Sequence, residues 1–433
     1  MNEIARQLNE TILKYNPNVY QMLSELGRNL YYPKGILSQS AEASKLATRF
    51  NATIGIATDK KHPMHFKHIQ KNLNDYSPED IYPYAPPSGK QKLRNEWKKK
   101  LLRENPSLQS KTMGDPIVTN ALTHGLSTTA DMFVDQNDSI IVPDKYWGNY
   151  QTIFHIRRGG VLKTFPLFNE DDEFHISAFR QCVMGQKDSG KAVVVLNFPN
   201  NPTGYTPYGR EVEGIISALL EGANAGINIV LILDDAYFGL FYENSIQESL
   251  FGKIAGLHPR ILTIKIDGAT KENYVWGLRV GFITFAAENK TILEALEQKT
   301  KGLIRGTISS SSHLSQTIIL HSLQSSEFEK EKLEKYNVMK KRAKRVKEIV
   351  RRERYKRSWN FYPFNSGYFM CLKLLKVNAE ELRIHLLNEY GVGTVSINST
   401  DLRIAFSSVE EEYLEELFEF IHQGIQDLLK EGV

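Results

Sequence analysis

The chain has 433 residues, 41% hydrophobic and 24% charged, which is too long for a single core and too apolar for a disordered protein. Its 54 basic and 50 acidic residues leave a formal charge of +4, a mixed surface. The basic runs at 98–100 and 340–352 alternate with apolar positions at helical spacing, with no helix-turn-helix or zinc-finger pattern, so no nucleic-acid partner is expected. No apolar run is long enough to span a bilayer, the first residues contain no apolar signal core, and Cys182 and Cys371 show no metal-ligand spacing. A cytoplasmic protein without a membrane partner is the expectation.

In chain order, residues 1–75 lack a self-sufficient core and are expected to form an N-terminal arm and part of a small domain, packed on the C-terminal lobe. His62, His65 and His68 recur at steps of three, and a short helix would bring them to one side. No supporting carboxylate is identifiable, so solvated or lid histidines are preferred to a metal site. Between residues 116 and 285, β-branched runs at 140–142, 192–196, 229–233, 261–266 and 280–285 recur. Such continuous apolar strands are buried on both faces, which requires covering helices and mostly parallel pairing. Residues 121–134 and 209–222 supply two of those helices.

After residue 286 long charged helices take over, with 327–353 almost uninterrupted. Strand-like pieces at 367–372 and 401–406 and an amphipathic helix over 409–429 close the chain. The expected class is α/β: a mostly parallel central sheet flanked by helices in a large domain over 76–320, with a second, smaller α+β domain formed by the two chain ends, 1–75 and 321–433.

Three strand ends carry chemistry. Leu196-Asn-Phe-Pro-Asn-Asn201-Pro-Thr-Gly204 forms a loop after a buried strand, where ligands bind in open α/β sheets; ordinary turn chemistry explains it equally well. The next strand ends Leu233-Asp234-Asp235-Ala-Tyr237. Alternation sends the two acids to opposite faces, so one serves a common ligand and the other is expected to be solvated or capping. Lys271 leaves the strand 261–267 ahead of Arg279. Taken alone such a lysine is read as a solvated surface charge; in a desolvated pocket at a strand end it can instead have a depressed pKa and act as a Schiff-base nucleophile, and a nearby arginine can hold a phosphate.

These motifs belong to a longer series: Tyr84-Ala-Pro-Pro-Ser-Gly89 with Leu93-Arg94, Pro143-Asp-Lys-Tyr146-Trp-Gly-Asn-Tyr150, Asn201-Pro-Thr-Gly204, Asp234-Asp-Ala-Tyr237, Lys271 with Arg279, and Leu402-Arg403-Ile-Ala-Phe-Ser407. Their order and spacing resemble the fold type I pyridoxal-phosphate-dependent aminotransferases, the class I and II group related to aspartate aminotransferase. The resemblance implies that Lys271 holds pyridoxal 5'-phosphate as an aldimine and moves the substrate proton. It implies that Asp234 pairs with the ring nitrogen, that Asn201 and Tyr237 bond the ring's 3-oxygen, and that Tyr146 stacks on the ring. Arg279, Leu122, Thr123 and Thr270 would hold the phosphate, although Gly268 stands where relatives often place a serine. Tyr84 would reach the phosphate of a neighbouring subunit, which implies a homodimer with active sites at the interface.

Arg403 and Gly55 would receive the substrate's α-carboxylate. Arg305 falls near the position that reads the distal carboxylate of acidic substrates across the dimer, whereas Tyr31, Tyr32, Tyr146 and Trp147 would suit an aromatic one. The implied reaction is ping-pong transfer of an amino group from an L-amino acid to a 2-oxo acid. A lyase or decarboxylase on the same fold would use the same cofactor. A non-catalytic ligand-binding module is disfavoured, because lysine, aspartate, tyrosine and both arginines are all retained.

Overall fold

The computed structural model describes residues 2–31, 35–60 and 62–431. Among them, β1 (Ile117–Asn120), β2 (Ser139–Pro143), β3 (Val161–Phe165), β4 (Lys191–Asn197), β5 (Asn228–Asp234), β6 (Ile261–Gly268) and β7 (Val280–Ala286) form a seven-stranded sheet in the order β1-β7-β6-β5-β4-β2-β3. The pairs from β6 through β3 are parallel, and β7 runs antiparallel to both β6 and β1.

Both faces are covered. Val194, Leu196, Leu231 and Leu233 pack with Trp97 and Phe179 on one side, while Val193, Val195, Ile232 and Ile264 pack with Leu126 and Tyr150 on the other. Each such side chain contributes about 1.5–3 kcal/mol on burial. The helix Gly209–Asn224 covers the first face through Val212 and Ile215, and Ala121–Phe133 covers the second through Leu122 and Leu126. Strands β1 and β3 fall outside the runs read from sequence. β1 is only four residues long, and β3 is an edge strand whose Lys163 and Thr164 are exposed.

A second, antiparallel sheet of four strands among the described residues comprises β8 (Trp359–Phe361), β9 (Phe369–Leu374), β10 (Val395–Ser396) and β11 (Asp401–Ala405), ordered β8-β9-β11-β10. Met339 and Val346 of the helix Phe328–Val350 and Leu417 and Ile421 of the helix Leu414–Glu431 share its core. The region after residue 286 is divided, because Leu293 and Ile304 of the helix Lys290–Thr307 pack into the core of the large sheet instead.

The N-terminal segment is divided as well. Phe50–Asn51 pairs in parallel with Val392–Gly393, and the helix Ile36–Leu46 packs beside it. By contrast, Glu25, Leu26 and Tyr31 line a cavity with Gln136, His155 and Arg158 of the large-sheet region. The three histidines do not share a helix. His62 lies in the short strand His62–Pro63, His65 is exposed in the connection that follows, and His68 is buried in the helix Lys67–Lys71, where Nε2 meets Ser322 Oγ at 2.9 Å. Among the described residues no helix is long and apolar enough to cross a membrane.

Candidate active site

The carboxyl ends of β5 and β6 are neighbours, which brings Asp234 and Lys271 to one crevice. Strand β6 ends at Gly268, and a single helical turn, Ala269–Glu272, follows. Lys271 Nζ donates to Gly55 O at 2.9 Å, and Lys271 O accepts from the Tyr368 hydroxyl at 2.9 Å. No carboxylate pairs with this amine among the described residues. Burial lowers its pKa to about 7, helped by the nearby Arg279 and Arg403 cations, which outweigh Asp234. Gly55 permits the approach, since a Cβ there would sit 3.2 Å from Nζ and 3.6 Å from the Tyr237 hydroxyl.

Asp234 Oδ2 accepts from the Tyr150 hydroxyl at 2.6 Å, and Oδ1 accepts from the Ala236 amide at 3.2 Å. Burial raises this carboxyl to about 6, against the stabilising Tyr150 bond. Tyr150, which the sequence shows only as the last position of the Tyr146 motif, is brought to the candidate site by this bond. Its ring lies parallel to that of Tyr146, with centroids 6.3 Å apart and planes 10° apart. Asp235 does face away from Asp234's partners, but it is neither solvated nor capping. It is buried, bonded to Ser249 Oγ at 2.5 Å and ion-paired with Lys265. The expectation failed because its cation comes from a neighbouring strand.

Arg403, on β11, is 2% exposed. It donates from Nη1 to Asn201 Oδ1 at 3.0 Å and from Nη2 to Thr53 O at 2.8 Å, lies 4.2 Å from the centroid of Phe369, and leaves Nε without a partner among the described residues. No carboxylate neutralises it among the described residues. Burial lowers its pKa to about 10, with Tyr237 opposing, and burial pushes the Tyr237 phenol up.

Leu122 and Thr123 open the helix Ala121–Phe133. Ahead of them Ala121 has φ 63° and its amide donates to Arg279 O at 3.0 Å; Arg279 itself has φ 55°. Left-handed conformation at a residue with a Cβ costs about 1–2 kcal/mol, and such strain gathers at ligand sites. Among the described residues the Arg279 guanidinium meets only Trp276 O, at 3.3 Å, and the buried Thr270 Oγ1 has no partner. A serine is excluded at Gly268, because a Cβ would lie 2.6 Å from Val280 O and 2.9 Å from Gly281 Cα.

Other expected residues lie apart from Lys271 within the chain. Tyr84 is 94% exposed. Arg305 is exposed and bonds Ser309 one turn on. Tyr31 lines the cavity beside His155, not the mouth of the crevice, and Tyr32 lies outside the described residues. Trp147 contacts Tyr150 edge-on at 5.8 Å. Two arginines without acids, an unpartnered threonine hydroxyl and an amine without a counter-ion are donors for a phosphate and a carboxylate that the described residues do not themselves provide. The residues present therefore fit a phosphorylated cofactor with an aldehyde.

Residues 52–421 match the family model of aminotransferase class I and II. The chain belongs to this family. It is similar to the aspartate aminotransferase of Bacillus sp. strain YM-2, 26% identical over 264 residues that cover 61% of this chain and 63% of that one. It is likewise 26% identical to that of Bacillus subtilis strain 168, over 266 residues covering 61% and 63%. The chain thus matches under two thirds of the length of these curated relatives. Among solved structures, an aminotransferase from Anaerococcus prevotii superposes with a TM-score of 0.83 at 24% identity, covering 92% of this chain and 98% of that one. A kynurenine aminotransferase from Pyrococcus horikoshii superposes with a TM-score of 0.79 at 15% identity, covering 95% and 98%. Aminotransferases of the aspartate aminotransferase type depend on pyridoxal phosphate.

Proposed function

We propose that this protein transfers an amino group from an L-amino acid to a 2-oxo acid by a ping-pong sequence in the cytoplasm, with pyridoxal 5'-phosphate held at Lys271. The observation that carries the reading is the Lys271 amine, largely withdrawn from water, hydrogen-bonded to Gly55 O and free of any acid partner among the described residues, with its pKa lowered to about 7. When bound, the cofactor supplies an electron sink for the substrate's Cα.

The chain's residues divide the remaining work. Near neutral pH Lys271 is in large part a free base, poised to take the Cα proton and return it. Asp234, kept ionised by the Tyr150 bond, would hold a proton on the ring nitrogen. Tyr237 and Asn201 would donate to the ring's 3-oxygen, and Tyr146 would cover its face. Arg279, Thr270 and the amides at Leu122 and Thr123 would take the phosphate. Arg403 would clamp the α-carboxylate with its planar fork, with Gly55 leaving room for it.

A homodimer follows from the same reading. The exposure of Tyr84 and Arg305 suits side chains that serve a partner's site, Arg305 then favouring an acidic substrate and Tyr146 with Trp147 an aromatic one. The test is a half-reaction screen: the protein is loaded with pyridoxal phosphate, each amino acid is added, and loss of the bound cofactor's visible band is followed. Bleaching by aspartate, glutamate or an aromatic amino acid, with amine recovered on 2-oxoglutarate, is expected. Release of free ammonia with pyruvate would assign a lyase instead, and loss of carbon dioxide a decarboxylase. A cofactor that binds and converts with no amino acid would make the chain a ligand-binding module.

A further inference from the structure

Asp401 and Arg403 lie two residues apart on β11, so strand alternation places them on the same face. Arg403 reaches Asn201 and Thr53 O. Asp401 is fully buried, and its Oδ2 lies 2.9 Å from Lys145 Nζ. Its remaining lone pairs are occupied: Oδ1 accepts from the Tyr362 and Thr400 hydroxyls at 3.0 Å each, and Oδ2 accepts from Asn398 Nδ2 at 2.9 Å. Lys145 is held from three more directions, by Asp144 at 3.1 Å, by the Tyr362 ring at 5.0 Å and, through its backbone oxygen, by Asn200 Nδ2 at 3.0 Å. Lys145 directly precedes Tyr146, and Asn200 directly precedes Asn201. One buried residue therefore ties together three pieces: its cation joins the loop of Tyr146 to the strand of Arg403, and its backbone oxygen joins that loop to the loop of Asn201.

The arrangement answers a constraint on Arg403. An acid of its own would compete with any carboxylate arriving from solution, yet the neutral oxygens of Asn201 and Thr53 are weak anchors for a strand that belongs to the smaller sheet. A buried ion pair with every lone pair satisfied specifies one geometry and penalises the alternatives. The geometry points to Lys145 and Asp401 as positioning residues for substrate recognition: their ion pair sets β11 against the tips of β2 and β4, so that Arg403 is held in place for a carboxylate while having no acid of its own among the described residues. That the carboxylate is a substrate's rests on the aminotransferase reading; the positioning of Arg403 does not.

The experiment measures carboxylate affinity separately from cofactor affinity. Because Lys145→Met alone strands a buried aspartate and risks misfolding, it is paired with the double variant Lys145→Met/Asp401→Asn, which removes both charges. Maleate and 3-phenylpropanoate are titrated calorimetrically into wild type and variants, with and without pyridoxal phosphate. Since a displacement of about 1 Å can cost on the order of a hundred-fold, the carboxylate that wild type binds should lose roughly ten- to a hundred-fold in the double variant. The pyridoxal phosphate dissociation constant should change far less, and Lys145→Arg should restore most of the loss. Unchanged carboxylate affinity overturns the inference, as does a fall in carboxylate and cofactor affinity in step with the thermal midpoint. A wild-type protein that binds neither carboxylate also overturns it. A wild type that binds carboxylates but no pyridoxal phosphate defeats the aminotransferase reading instead, and the cofactor-free titrations still decide the role of Lys145.

Discussion

Lys265 and Lys271 leave the same stretch of chain, yet they occupy opposite electrostatic worlds. Lys265 is completely buried and closed by Asp235, with Asp267 at 3.7 Å, and although burial opposes its charge these acids raise its pKa. A second closed ring adjoins it: Lys100 and Lys332 each pair with both Glu104 and Glu272, at 2.5 to 3.0 Å. Lys271 and Arg403, by contrast, have no acid partner among the described residues, and their pKa values fall. The neighbouring acids divide in the same way, Asp235 to Lys265 and Asp234 to a tyrosine. Buried charge by itself says little about function. What separates a structural cation from a chemical one here is whether the chain supplies its counter-ion.

Removing each lysine should break this comparison in different places. Lys271→Ala is expected to reduce amine transfer by at least about a thousand-fold, because proton transfer and cofactor attachment both use that amine. The folded state should be no less stable, since an unpaired buried amine is being deleted. Lys265→Met should do the reverse, costing about 3–5 kcal/mol by leaving Asp235 and Asp267 without their cation. Urea unfolding beside the half-reaction reads both. A Lys271→Ala protein that keeps normal turnover, or a Lys265→Met protein as stable as wild type, would erase the distinction.

The division was only partly legible in the sequence. Five of the large-sheet strands announced themselves because both of their faces are apolar, whereas β1 and the edge strand β3 were too short or too polar to stand out. Lys271 and Arg403 were legible through motif order, and Asp234 through its place at a strand end. Tyr150 and the pairing of Asp235 were not, because each depends on a residue from another strand or loop, Asp234 in one case and Lys265 in the other. Gly268 looked like a missing phosphate ligand. Its cause is the backbone of Val280 and Gly281 passing too close for any side chain, a contact between antiparallel strands that local pattern cannot reveal.

Tyr150→Phe sharpens the contrast between the two aspartates. The variant keeps the ring against Tyr146 and removes only the donor to Asp234 Oδ2. Hydrogen bonds to charged groups are worth about 1.5–3 kcal/mol, so pyridoxal phosphate should bind roughly ten- to a hundred-fold more weakly at neutral pH. The sign of the pH effect is fixed. Loss of a bond that stabilises the carboxylate moves the Asp234 pKa further above about 6, and the acid limb of cofactor binding should shift to higher pH. Titrating cofactor affinity from pH 5 to pH 8 in both proteins checks this; coincident limbs would show that Tyr150 merely packs.

The smallest effect is in the stability of the cofactor-free protein, and it tests Lys271 without any turnover. Its folded pKa of about 7 lies below the ~10.4 of an unfolded lysine. Between those values the unfolded chain binds more protons than the native one, so this residue's contribution makes stability rise with pH across the window and fall as pH drops toward 7. Lys271 keeps some contact with solvent, which screens the effect, and a difference of about 1 kcal/mol between pH 7 and pH 9 is the reasonable scale. Lys271→Met should remove that slope and leave the protein more stable than wild type at pH 7. Lys265, its pKa raised by its acids, contributes stability that is present below the unfolded value and lost only as pH climbs past it. Denaturation curves at the two pH values therefore separate the lysines, because Lys271 contributes a slope in that window and Lys265 contributes none: a Lys271→Met protein whose stability rises from pH 7 to pH 9 as steeply as wild type would mean that the amine is not held as a neutral base.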